Sequence, residues 1–135
     1  MRIVSCVTAA GMLLATSASA AYPERSIRII VPYAPGGNID ITARTIAPGM
    51  AEALGQQVVI DNRGGAGGTL GTDIGAKAAP DGYTLLLSAS IHVINPFLFK
   101  NVPYDVVADF TPVSLLAVGP LIVSTTPSVP ASNLK

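Results

Sequence analysis

The chain has 135 residues, of which half are hydrophobic and 12% charged, and its eight Lys and Arg balance eight Asp and Glu to a net charge of zero. That balance excludes the basic surface that nucleic-acid binding requires. The single cysteine, Cys6, falls in the leading segment, so residues 21–135 carry no disulfide, no thiol nucleophile and no thiolate metal ligand.

Met1 and Arg2 open the chain, an apolar run follows over 3–15, and small residues fill 16–21. This order predicts a secretory signal peptide over 1–20, cleaved after Ala20, and an extracytoplasmic, periplasmic destination. The run is shorter than the ~20 residues a bilayer-spanning helix needs.

Residues 26–33 (SIRIIVPY) are β-branched and apolar, the pattern of a strand buried on both faces, and Pro35-Gly36-Gly37 ends it. From 38 to 54 the apolar residues Ile39, Ala43, Ile46, Met50, Ala53 and Leu54 recur at helical steps. Asn38 or Gly37 serves as N-cap and Gly55 lies beyond the end. Pro48-Gly49 inside this helix predicts a kink or a break, because an interior proline removes a hydrogen bond. A second strand is predicted at 57–60, ended by Asp61-Asn62-Arg63 and the glycine loop 64–68, and a second helix at about 69–78. Pro80-Asp81-Gly82 is a turn, proline setting φ and glycine supplying positive φ. A third buried strand is predicted at 83–87, then a capping segment, Ser88-Ala89-Ser90, then a helical stretch over 91–99 interrupted by Pro96. Two further strand-like runs occupy 113–118 and 121–124, and a helix opens at Ser132. The alternation predicts an α/β fold with a parallel sheet, residues 26–33 in its middle.

In such a sheet the segments 34–37, 64–68 and 88–90 leave the strands at one edge, where helix N-termini present unpaired N–H groups and partial positive charge. The glycines are equally the residues that tight strand-to-helix turns require. Together the three loops suit a small anion such as a carboxylate. The stretch from Gly65 to Gly71 sets its third glycine one position too late for a dinucleotide fingerprint, and no Walker lysine is present. His92, the sole histidine, could suggest a triad with Ser90 and Asp40, but no nucleophile elbow and no metal-ligand spacing accompanies it. A structural or ligand-adjacent role fits it better. Asp40, in the first turn of a helix, either complements the helix dipole or receives a ligand's amino group.

A series of short motifs then carries a family resemblance: Pro32-Tyr33-Ala34-Pro35-Gly36-Gly37 with Asp40, Ala53-Leu54-Gly55-Gln56, Asn62-Arg63 with Gly65-Ala66-Gly67-Gly68. It continues through Ala78-Ala79-Pro80-Asp81-Gly82-Tyr83, Asn95-Pro96, Pro103-Tyr104-Asp105 and Asp109-Phe110-Thr111-Pro112. In order and spacing these resemble a tripartite tricarboxylate transporter receptor of the Bug (Bordetella uptake gene) family. The resemblance implies a type II periplasmic-binding-protein-like fold of two domains, with a small carboxylated solute in the cleft between them. It implies delivery to a membrane permease by a receptor that is monomeric at full length, needs no cofactor and performs no catalysis.

Carried over by position, the ligand-binding residues would be Ala34, Gly36, Gly37, Asp40, Ser88, Ala89 and Ser90, with Asp40 at the place associated with amino groups in amino-acid-binding members. Family members run to about twice this length or more. Residues 21–112 therefore correspond to the first part of domain 1, and 113–135 to the crossover toward a second domain, with that domain and the segment returning to the first sheet expected beyond. Two other readings remain open: an exported α/β nucleotide-binding enzyme using the same sheet edge, and an inactive truncated remnant.

Overall fold

The computed structural model describes residues 22–120, 122, 124, 126 and 128. Strand β1 (Ile27–Val31) is the most deeply buried of the strands, with Ile27, Ile29, Ile30 and Val31 all buried. Each such side chain contributes about 1.5–3 kcal/mol on leaving water, which places this strand at the centre of the sheet. Strand β2 (Val58–Asn62) and strand β3 (Thr84–Leu86) flank it, both parallel to it, in the order β2-β1-β3. The register sets Ile29 beside Ile60 on one side and Leu85 on the other.

Helix α1 (Asn38–Leu54) covers the face that carries Ile29 and Val31, with Ala43 packed against both. Side chains alternate faces along a strand, so Ile30 and Leu86, side by side in register, face the other way, toward helix α2 (Thr69–Ala76). There Gly71 lies against Pro32 and Gly75 against Leu86. A 3₁₀ turn (Ala66–Gly68) precedes α2, and helix α3 (Ile91–Leu98) follows β3.

The predicted middle strand, the two flanking strands and the three helices are all present. Their differences from expectation have physical causes. Strand β2 runs two residues further than 57–60 because Asp61, which was expected to end it, pairs in register with Ile30 and is held by the Arg28 and Arg63 guanidinium groups. Helix α1 continues without a break through Pro48. The carbonyl that the proline leaves unpaired is that of Arg44, and Arg44, Pro48 and Gly49 are all exposed, on the side of the helix open to water. Residues 113–118 form no strand: they are extended, and Val113, Leu115 and Val118 are each at least 80% exposed. A strand needs a neighbouring strand's donors and acceptors, and none reaches them among the described residues. Of the run at 121–124 only Ile122 and Ser124 are described, neither in a strand. The signal segment 1–20 and the helix start at Ser132 lie outside the described residues.

Candidate functional site

Because the three strands are parallel, the segments 34–37, 64–68 and 88–90 leave the sheet at the same edge. Each leads into a helix whose N-cap position makes no side-chain capping bond: Gly37 for α1, Gly68 for α2 and Ser90 for α3. The N–H groups of a helix's first turn have no intrahelical acceptor. At α2 the Thr69 N–H is taken by the Ala66 carbonyl, and at α3 the His92 and Val93 N–H groups are taken by the Ala89 and Ser90 carbonyls, so what the three turns share at this edge is chiefly positive partial charge.

The loops are tied together by side chains. Tyr33 Oη and Ser88 Oγ are 3.1 Å apart, joining the loop after β1 to the loop after β3. The Tyr33 ring also packs on Gly68, where an added Cβ would sit 3.1 Å from a ring carbon. Since φ at Gly68 is +93°, the position requires glycine on both counts. From α3, the buried Asn95 donates through Nδ2 to the Gly67 carbonyl at 3.2 Å and to Thr69 Oγ1 at 3.4 Å. In the sequence Tyr33 and Asn95 figure as parts of family motifs, with no role at the site. The cue available was a hydrogen-bonding side chain directly after a buried strand or on the helix facing a glycine loop.

Asp40 is only 2% exposed and lies beneath the loop 34–37. Its Oδ2 accepts from the Gly36 N–H at 2.8 Å and from Arg44 Nε at 3.0 Å, and its Oδ1 accepts from the same Nε and from Asn62 Nδ2, both at 3.0 Å. Asn62 in turn accepts from Arg44 Nη2 and donates to the Tyr33 carbonyl. The Arg44 guanidinium, then the Gly36 N–H and Asn62, hold the Asp40 carboxyl down at about 2. The Gly36 donor therefore points inward, at Asp40. Ala34, Gly36, Gly37 and Ser90 are exposed, while Ser88 and Ala89 are half-buried.

His92 stands apart from Asp40. Its Nε2–H donates to the Val106 carbonyl at 3.1 Å, its ring stacks parallel to Tyr104 at 5.9 Å, and Phe110 meets it edge-on at 4.9 Å. This is a packing role that pins the segment after α3. Among the described residues no group of three His, Cys, Asp or Glu side chains could hold a metal ion. A groove of about 970 Å³ is lined by residues that include Ile29, Met50, Leu85, Leu87 and Val113 and touches the three loops only at Ser88 and Ala89. Its apolar walls follow the free edge of β3, so it is not where an anion would be held.

An open parallel sheet with helix N-termini gathered at its carboxyl edge matches the first part of a periplasmic-binding-protein-like α/β domain. Residues 42–135 match the model of the tripartite tricarboxylate transporter family receptor. The chain belongs to that family. It is 42% identical to protein BugT of Bordetella pertussis, over 99% of this chain and 44% of that protein. A Pseudomonas protein encoded in the tcbD-tcbE intergenic region is 43% identical over 84% of this chain and 36% of its own length. Among solved structures, the periplasmic binding protein BugD superposes with a TM-score of 0.65 at 46% identity, covering 67% of this chain and 30% of BugD. MatC of Rhodopseudomonas palustris, solved with bound malate, gives a TM-score of 0.62 at 42% identity, over 70% of this chain and 33% of MatC. The chain thus spans less than half the length of the relatives it matches.

Proposed function

We propose that the protein to which this chain belongs is a periplasmic receptor that captures a small carboxylated solute and hands it to the membrane permease of a tripartite tricarboxylate-type transporter. The observation that carries this reading is the convergence of three uncapped helix N-termini at the carboxyl edge of one sheet. Backbone N–H groups so placed can hold a carboxylate without any Arg or Lys in contact with it. The family membership adds its support, as do the structures of MatC with malate and of a further R. palustris relative with adipate.

In this reading Ala34, Gly37, Ser88, Ala89 and Ser90 line the site and offer backbone N–H groups and hydroxyls to the solute. Gly36 shapes the loop from beneath. Residues 1–20 direct export and are removed after Ala20. The solute is enclosed by a second domain, and the full-length receptor acts as a monomer.

Thermal melting of the complete receptor with malate, succinate, adipate, NAD or ATP tests the proposal, since a ligand bound only by the native state raises the melting temperature by mass action. A rise of several degrees with at least one dicarboxylate is expected. Stabilisation by NAD or ATP alone would refute it.

A further inference from the structure

Resting on that carboxylate-receptor reading, we infer that Asp40 is a positioning residue, charge-compensated by Arg44, and that the solute taken at this edge is a carboxylate bearing no ammonium group. A carboxylate offers about four acceptor sites. In Asp40 three N–H groups occupy the two oxygens: Gly36, Asn62 and the Arg44 Nε–H, which is shared between them. A substrate ammonium would have to displace one of these donors and reach a group that is 2% exposed even with the crevice open. The other described aspartates with ion-pair partners are engaged elsewhere: Asp61 with Arg28 and Arg63, Asp73 with Lys77, and Asp81 with Arg25. Asp105 and Asp109 accept from backbone N–H groups within their own turn.

The network also explains why a negative charge beneath an anion site does not repel the anion. Arg44 neutralises it from the solvent side, its own side chain 55% exposed. What reaches the crevice is the geometry of the loop 34–37, fixed from below through the Gly36 N–H and, by way of Asn62, the Tyr33 carbonyl.

The test is isothermal titration of the complete receptor with succinate and with aspartate, which differ only by the ammonium group, in the wild type and in Arg44→Ala and Asp40→Asn variants. Succinate is expected to bind at least tenfold more tightly than aspartate to the wild type. Arg44→Ala leaves an uncompensated negative charge beneath the loop, which costs a dianion more than a zwitterionic monoanion. The succinate-to-aspartate affinity ratio should therefore fall by about three- to tenfold. Loosening of the loop alone would weaken both ligands without moving that ratio. Asp40→Asn, which puts an amide donor among donors, should weaken both in parallel. Aspartate binding as tightly as succinate, with Asp40→Asn selectively losing aspartate, would overturn the inference while leaving the receptor reading intact. An unchanged ratio in Arg44→Ala would also overturn it. Binding of neither ligand nor of any other dicarboxylate would sink the receptor reading and this inference together.

Discussion

Tyr33 and Ser88, 55 positions apart in the chain, meet through their hydroxyl groups at 3.1 Å and join the loops that follow the first and third strands. The contact lies at the carboxyl edge of the sheet, so it fixes the spacing of the two loops that leave these strands. Replacing Tyr33 by Phe keeps the ring on Gly68 and removes only the hydroxyl. The expected loss is about 0.5–1.5 kcal/mol, the usual net worth of one such bond. A chemical denaturation midpoint for the variant in the complete receptor, lower than that of the wild type at an unchanged slope, is the corresponding observation.

Gly71 has no room for a side chain. A Cβ there would stand 2.4 Å from the Arg63 carbonyl oxygen and 2.7 Å from Pro32 Cα, both backbone atoms that cannot swing aside. Gly71→Ala should cost about 3 kcal/mol, the upper end of overpacking penalties, by forcing α2 off the end of β1. Gly36→Ala provides the contrast: its φ is +82° but nothing lies within 4 Å of the added carbon, so only the backbone penalty of about 1–2 kcal/mol applies. Equal destabilisation of the two variants in thermal melts would contradict this account.

Acid should weaken the fold through Asp40. Its carboxyl is held at about 2, first by Arg44 and then by the Gly36 N–H and Asn62, whereas an unfolded aspartate titrates near ~3.9. A depressed folded-state value means that the ionised native state binds fewer protons than the unfolded chain. The stabilisation is present in full above about pH 4 and is lost as the pH falls toward 2. The stability difference between wild type and Asp40→Asn, measured by urea unfolding, should be constant from pH 7 to 5 and shrink from pH 4 downward. A difference that holds steady to pH 2.5 would show that the carboxylate is not ion-paired as described.

Residues 21–135 produced alone should not behave as a stable monomer. Phe97 is 88% exposed, and the extended tail adds Val113, Leu115, Val118 and Ile122, all large apolar side chains left in water. Contiguous exposure of this kind, beside the unpaired edge of β3, favours association. Light scattering should detect soluble aggregates or precipitate. A cooperative thermal transition in a purified monomer of residues 21–135 would refute this expectation.

Much of the fold was legible in the sequence because burial on both faces leaves an unmistakable trace: an uninterrupted run such as Ile27 to Val31 can be only a central strand or a buried helix, and the glycines after it decide between them. The loops at one edge followed from the parallel arrangement alone. Less was legible where one residue answers to another far along the chain. Asp61 reads as a strand terminator until Arg28 is found alongside it. Asp40 reads as a free helix-dipole carboxylate until Arg44 and Asn62 enclose it. The tail at 113–118 suits a strand by composition but stays exposed, because strand formation depends on a partner that a local pattern does not encode. At Pro48 the helix is not broken, because the proline and the carbonyl it orphans, that of the exposed Arg44, both lie on the outer side.

The central position of β1 has a consequence for the order in which the chain can organise itself. Its neighbours arrive late: Ile27 must await Val58, and Arg28 must await Thr84. No pair of adjacent strands can zip from a hairpin, so each closure draws a long loop together before any ladder bond rewards it. The sheet therefore has no early nucleus of its own, and until Thr84 has been brought back to Arg28 the chain remains an open polymer with its central strand unsheltered. A chain of this topology stays threadable, and vulnerable, for longer than a helical bundle of the same length.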